Sequence, residues 1–133
     1  MLTPRLWYVN VFVSDLARAI ESYRDTLGLP LQFHEEKFGY ASFVPEGVRL
    51  GFARVDPQAP EFASLVGRQT GVGFGVPDLD AAHREFVARG VRFTMVPTRQ
   101  PWGGYMALFA DPDDNTYYLD QLHGNSEAAH DSQ

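Results

Sequence analysis

"VNVFVSDLARAIESY" (9–23) returns as "VGFGVPDLDAAHREF" (72–86) at a constant offset, and this repetition decides the fold. Val9, Val13, Asp15, Leu16 and Ala19 recur identically as Val72, Val76, Asp78, Leu79 and Ala82, while Tyr23 recurs as Phe86. Each copy begins with an alternating run, the pattern of a strand with two different faces. Each run then meets a residue able to cap a helix, Ser14 or Asp15 in the first copy and Asp78 in the second. Pro77 fits beside the second cap, because it pushes Val76 into the extended region. In the first helix Leu16, Ala19, Ile20, Tyr23 and Leu27 make one apolar stripe. Gly28 and Gly90 stand where a left-handed residue ends a helix. They are one residue out of step, so the second helix is expected to be shorter by that much.

Outward from the repeated stretch, strand-like pieces follow each helix: 31–36, 40–44 and 48–54, then 91–96, 105–110 and 115–121. "PEG" (45–47) and "DPDDN" (111–115) read as turns between the last two strands of each set. The order is βαβββ twice, which predicts an α+β fold of paired modules, with curved sheets and the helices outside. One domain is expected over 1–122, built from repeats at about 5–54 and 70–122 with a connector at 55–69. The polar segment 123–133 is expected to be a disordered tail.

Strand parity assigns faces. Trp7, Val9, Val11 and Val13 are expected to face the helix with Val72, Phe74 and Val76. Tyr8, Asn10 and Phe12 then face the hollow side with Gly71, Gly73 and Gly75. Glycine at every second place leaves that strand bare on one face, the mark of a close approach by something else.

The formal charge of −6 repels phosphates, so no nucleic-acid partner is expected, and cationic ligands are favoured. No run has the length of a membrane span, and "MLTPRLW" lacks the layout of a signal peptide, so a cytoplasmic protein with no membrane partner is expected. The absence of cysteine excludes disulfides and thiolate metal sites.

The segments "FVSDLARAIESYRDTLGL" (12–29), "FGVPDLDAAHREFVARGV" (74–91) and "ADPDDNTYYL" (110–119) resemble the vicinal oxygen chelate superfamily. That group includes glyoxalase I, extradiol dioxygenases, fosfomycin-resistance transferases and bleomycin-resistance proteins. Its usual closing turn is Asp-Pro-Asp-Gly-Asn, and Asp114 stands here in place of the glycine. The resemblance implies four metal-ligand positions, which fall on Tyr8, Gly51, Gly71 and Tyr118. Glycine offers no side-chain donor and neutral tyrosine is a poor one beside imidazole or carboxylate. The expectation is therefore no metal and no cofactor.

Among other polar groups, His34, Glu35 and Glu36 read as solvated strand residues. His83 reads as a packing residue at the helix edge, and His123 and His130 as residues of the tail. The bleomycin-resistance proteins, which hold a drug between subunits, are closest in logic. The resemblance thus implies a homodimer with ligand-binding clefts. The candidate ligand-binding residues are Tyr8, Asn10, Phe12, Gly71, Gly73, Gly75, Trp102, Tyr105, Tyr118 and Asp120, with Trp102 and Tyr105 on the rim loop "RQPWGGY" (99–105). The ligand expected is a small aromatic or cationic molecule, antibiotics among the candidates, and antibiotic resistance the corresponding role. Two alternatives stay open. One is a lyase or dioxygenase-like enzyme using displaced ligands, or acid–base chemistry from Asp120, His34 or Tyr118. The other is a subunit whose hollow is filled by its own partner.

Overall fold

Asp15 and Asp78 both cap helices. Each is extended, and its carboxylate accepts from a backbone N–H three residues on, Arg18 at 3.0 Å and Ala81 at 3.1 Å. Ser14, the other residue able to cap α1, bonds elsewhere, with its N–H and hydroxyl both donating to Asp113 at 2.7 and 2.6 Å. The computed structural model describes residues 2–123. It holds strands β1 (Tyr8–Val13), β2 (Leu31–Glu35), β3 (Tyr40–Glu46), β4 (Val48–Arg54), β5 (Gln69–Val76), β6 (Arg92–Arg99), β7 (Tyr105–Ala110) and β8 (Thr116–Gln121). The helices are α1 (Leu16–Ile20), a short α2 (Phe62–Leu65) inside the connector, and α3 (Leu79–Ala88). The expected tail beyond His123 lies outside the described residues.

Two compact units divide the chain: residues 2–68 with 111–115, and residues 69–110 with 116–123. Each contains a four-stranded mixed sheet, ordered β1-β4-β3-β2 in the first and β5-β8-β7-β6 in the second. In both, the first strand runs parallel to the last of its module and the remaining pairs are antiparallel. This is the α+β arrangement of paired βαβββ modules.

The one-residue mismatch between the helices has a visible outlet. After 5 α-helical residues α1 widens into a π-helix over Glu21–Thr26, whereas α3 is regular for 10 residues. The extra residue is absorbed by the wider turn, and both helices still end on left-handed glycines, Gly28 at φ 81° and Gly90 at φ 92°. The stripe of α1 buries Leu16, Ala19, Ile20 and Tyr23 against β3 and β4. There Tyr23 stacks on Phe52 at 4.0 Å, and Phe43 meets Phe52 edge-on at 5.6 Å. In the second unit α3 packs on β6 and β8, over a core where Phe109 stacks on Tyr117 at 5.3 Å.

Some boundaries differ from the sequence reading. β3 runs through Pro45 to Glu46, so that Gly47 alone, at φ 82°, makes the turn. β6 runs through Pro97 to Arg99. Both prolines lie where the register shifts, between Phe43 and Glu46 and between Met95 and Thr98, so no ladder donor is demanded of them. β2 stops at Glu35 because Glu36–Phe38 form a 3₁₀ turn closed by left-handed Gly39.

The DPDDN turn belongs to the first unit. The Asp111 carboxylate, 6% exposed, accepts from the Tyr23 hydroxyl at 2.6 Å, from the amides of Asp113 and Asn115, and from the Asn115 side chain. Asn115 in turn donates to the Phe12 carbonyl and accepts from the Gly67 amide. The acidic turn is therefore a structural staple. Asp114 takes φ 68°, the left-handed conformation for which glycine is the usual residue.

Candidate functional site

A cleft of about 420 Å³ opens in the second unit. Its floor is the glycine side of β5 beside β8. Six expected ligand residues line it: Gly73, Gly75, Trp102, Tyr105, Tyr118 and Asp120. Register explains why they meet, since Gly73 pairs with Tyr118, Gly75 with Asp120, and Asp120 with Met106. Directly paired residues point to one face, so Met106, Tyr118 and Asp120 share the open side while Tyr117 and Leu119 enter the core.

The three glycines do three different things. A Cβ at Gly73 would meet Tyr118 Cβ at 3.5 Å and Asp120 Oδ2 at 3.7 Å, so this position is ordinary cleft floor. At Gly75 it would meet Leu122 at 2.5 Å, so the bare face there is covered by the chain's own next segment. Gly71 has open space above it but φ 79°, at the register shift between Gln69 and Gly73. Gly71 does not line the cleft, and backbone conformation is what demands glycine there.

The rim is the β6–β7 hairpin loop, closed by the Gln100 amide donating to the Gly104 carbonyl at 2.7 Å and the Gly103 amide to the Gln100 carbonyl at 2.9 Å. Trp102, 68% exposed, folds back over Gly104, where a Cβ would come 2.8 Å from its indole nitrogen. The Tyr105 hydroxyl donates to Asp80 in the first turn of α3 at 2.7 Å, and the Arg99 guanidinium lies 4.7 Å from its ring centre. The bond to Asp80 holds the phenol pKa above its ordinary value. Tyr105 thus offers a ligand its ring while its hydroxyl is engaged. His123, read from sequence as a tail residue, lines the cleft with Gln121 and Leu122.

Tyr8, Asn10 and Phe12 lie on β1 in the first unit, on the face opposite buried Val11 and Val13. Around them stand Arg49 and Tyr40, which the sequence did not mark, and Gly51. Arg49 pairs with Tyr8 and Gly51 with Asn10. The Tyr40 hydroxyl donates to Asn10 Oδ1 at 3.1 Å, and the two groups lie over Gly51 so closely that no Cβ fits there. Burial raises the Tyr40 pKa. Parity was the available signal: Arg49, Gly51 and Ala53 alternate on β4 with buried Leu50 and Phe52. Trp7 is a correction. It precedes β1 rather than lying in it, so strand parity does not apply, and it is 71% exposed against Tyr8 instead of facing the helix.

The positions that would hold a metal do not fit one. Gly51 is covered by Tyr40 and Asn10, Gly71 has no side-chain donor, and Tyr8 and Tyr118 offer phenols in place of imidazole or carboxylate. His34 is exposed on β2, and Glu35 turns its carboxylate to the Lys37 amide at 3.4 Å. Among the described residues no three His, Asp or Glu side chains gather as a metal site. His83 packs edge-on against Phe93 at 4.6 Å, the packing role its helix position implies.

Residues 5–117 match the Glyoxalase/Bleomycin resistance protein/Dioxygenase superfamily. The chain belongs to that superfamily. The protein YraH of Bacillus subtilis (strain 168) is 29% identical over 119 residues, covering 84% of this chain and 93% of YraH. A superfamily member from Sphaerobacter thermophilus is 28% identical with a TM-score of 0.75, covering 91% of this chain and 99% of its own. A lactoylglutathione lyase from Agrobacterium tumefaciens shares the fold at TM-score 0.71 and 21% identity, over 90% of this chain and 95% of the lyase. Superfamily membership carries the glyoxalase and vicinal-oxygen-chelate description, while the reaction stays a property of each member's site. Among the described residues no helix is long and apolar enough to cross a membrane.

Proposed function

We propose that this superfamily member is a metal-independent small-molecule binding protein that holds an aromatic or cationic ligand in the cleft of its second unit. One observation carries the reading: the cleft gathers Trp102, Tyr105 and Tyr118 around Asp120 on a glycine floor. Its volume of about 420 Å³ suits a small organic molecule. Aromatic faces attract a cation by roughly 0.5–2 kcal/mol each, depending on desolvation, and the net charge of −6 adds a salt-sensitive pull. The protein acts as a homodimer in this reading, because Phe33, Phe38 and Val96 are exposed large apolar side chains suited to burial by a second copy. Sequestration of an antibiotic is the role that fits such a site.

The test uses N-methylquinolinium, a planar aromatic cation, titrated into the Trp7→Phe variant so that Trp102 is the only reporting indole. Saturable quenching is expected, and Trp102→Ala should weaken binding several-fold, read by calorimetry, with an unchanged circular dichroism spectrum. Chelator treatment should leave affinity and melting temperature unaltered, since a bound metal would otherwise stabilise the fold by mass action. Equal affinity in Trp102→Ala, or loss of binding on chelation, would overturn the reading. Of the groups named for the enzymatic alternative, Asp120 and Tyr118 line this cleft, where His123 joins them, while His34 lies on β2 of the first unit.

A further inference from the structure

Arg49 stands on β4 without an anion among the described residues. It makes no ion pair with any described residue, and its Nε is buried without a hydrogen-bond partner. Its guanidinium lies 5.8 Å from the Trp7 ring centre and 5.6 Å from that of Tyr8, within the range of cation–π attraction. A shielded, unsatisfied donor is costly and rare enough to need a reason. Among the described residues no carboxylate pairs with it, but hydrogen-bonding groups stand nearby. Asn10 uses its Oδ1 to accept from Tyr40, which leaves its amide Nδ2 without a protein partner among the described residues. Gly51 contributes no side chain beneath them.

We propose that this face of the first unit is a carboxylate site, with Arg49 as its anchor and an aromatic carboxylic acid as the class of ligand. The Nε–Nη edge of arginine matches the planar fork of a carboxylate. Trp7, which stands outside β1 and is 71% exposed beside the guanidinium, is placed to move aside and lie against the ligand's ring. Tyr8, 48% exposed, supplies the second aromatic wall, and the Asn10 amide a neutral donor to the carboxylate. The preference for an anion is the reverse of that assigned to the acidic cleft, so the two sites select different ligands.

The experiment uses the Trp102→Phe variant, in which Trp7 is the only indole, with benzoate as probe. Benzoate is expected to change Trp7 emission saturably, and benzamide, its neutral isostere, to bind at least tenfold more weakly. Arg49→Gln should weaken benzoate about ten- to a hundredfold, the range for losing a charge-assisted hydrogen bond. Arg49→Lys, which keeps the charge and loses the fork, should fall between. Acetate should displace benzoate better than equimolar inorganic phosphate. Equal binding of benzoate and benzamide, unchanged affinity in both Arg49 variants, or phosphate competing as well as acetate would each overturn the proposal. N-methylquinolinium titrated into Arg49→Gln reports on the proposed function by itself, so failure of that reading is distinguishable from failure of the carboxylate site.

Discussion

Replacing Tyr23 by phenylalanine removes one oxygen from a buried polar contact. Tyr23 is fully buried, and its hydroxyl donates to Asp111 Oδ2 at 2.6 Å. Three other donors remain to that carboxylate: the amides of Asp113 and Asn115, at 2.8 and 2.9 Å, and the Asn115 side chain at 3.0 Å. A hydrogen bond to a charged group contributes about 1.5–3 kcal/mol. With three donors left in place, the loss at neutral pH should be about 2 kcal/mol. Acid should shrink it. Burial raises the Asp111 pKa above its ordinary 3.8, against the lowering pull of its hydrogen bonds from Tyr23 and Asn115. A carboxyl with a raised folded-state pKa contributes stability that is present below 3.8 and lost as pH rises through the folded value. Without the tyrosine the folded value climbs further, so the variant loses more at neutral pH than in acid. Below pH 3.8 the deficit should approach the roughly 1 kcal/mol of a neutral hydrogen bond. Urea denaturation at both pH values measures this, and a double-mutant cycle with Asp111→Asn isolates the pair. A deficit under about 0.5 kcal/mol at neutral pH, or one undiminished in the Asp111→Asn background, would refute the reasoning.

Asp114, held at φ 68°, should tolerate glycine within about 0.5 kcal/mol, because relief of left-handed strain is offset by the greater freedom of unfolded glycine. Valine there should cost roughly 1–2 kcal/mol in a thermal melt, and a variant as stable as the parent would show that the turn relaxes to another conformation. Light scattering at micromolar concentration should give twice the 14.9 kDa chain mass, and a single-chain mass would remove the homodimer from the proposed function.

The repeat of residues 9–23 in 72–86 carried the fold, because alternation, a capping aspartate and a terminal glycine each act over a few residues. The Asp78 cap, both left-handed glycines and the βαβββ order were legible in this way, while the choice of Asp15 over Ser14 at the first cap came from the folded chain. The open face of β5 was legible too, since parity is a local property: Gly73, Gly75, Tyr118 and Asp120 line one cleft as their positions imply. Register and long-range contact were not. Nothing near Leu122 in the sequence says that it covers Gly75, nor anything near Gly71 that the strand shifts there. The π-turn was foreshadowed only as a spacing mismatch, and its form depended on the buried stripe staying against β3 and β4. Asp111 read as a turn residue, and only the folded chain brings Tyr23 to it across 88 residues. Nothing local marks Arg49 out, and it is the parallel pairing of β1 with β4 that sets it beside Tyr8. Local chemistry selects the elements, whereas the pairing of distant strands decides which side chains meet and which of them is left without a partner.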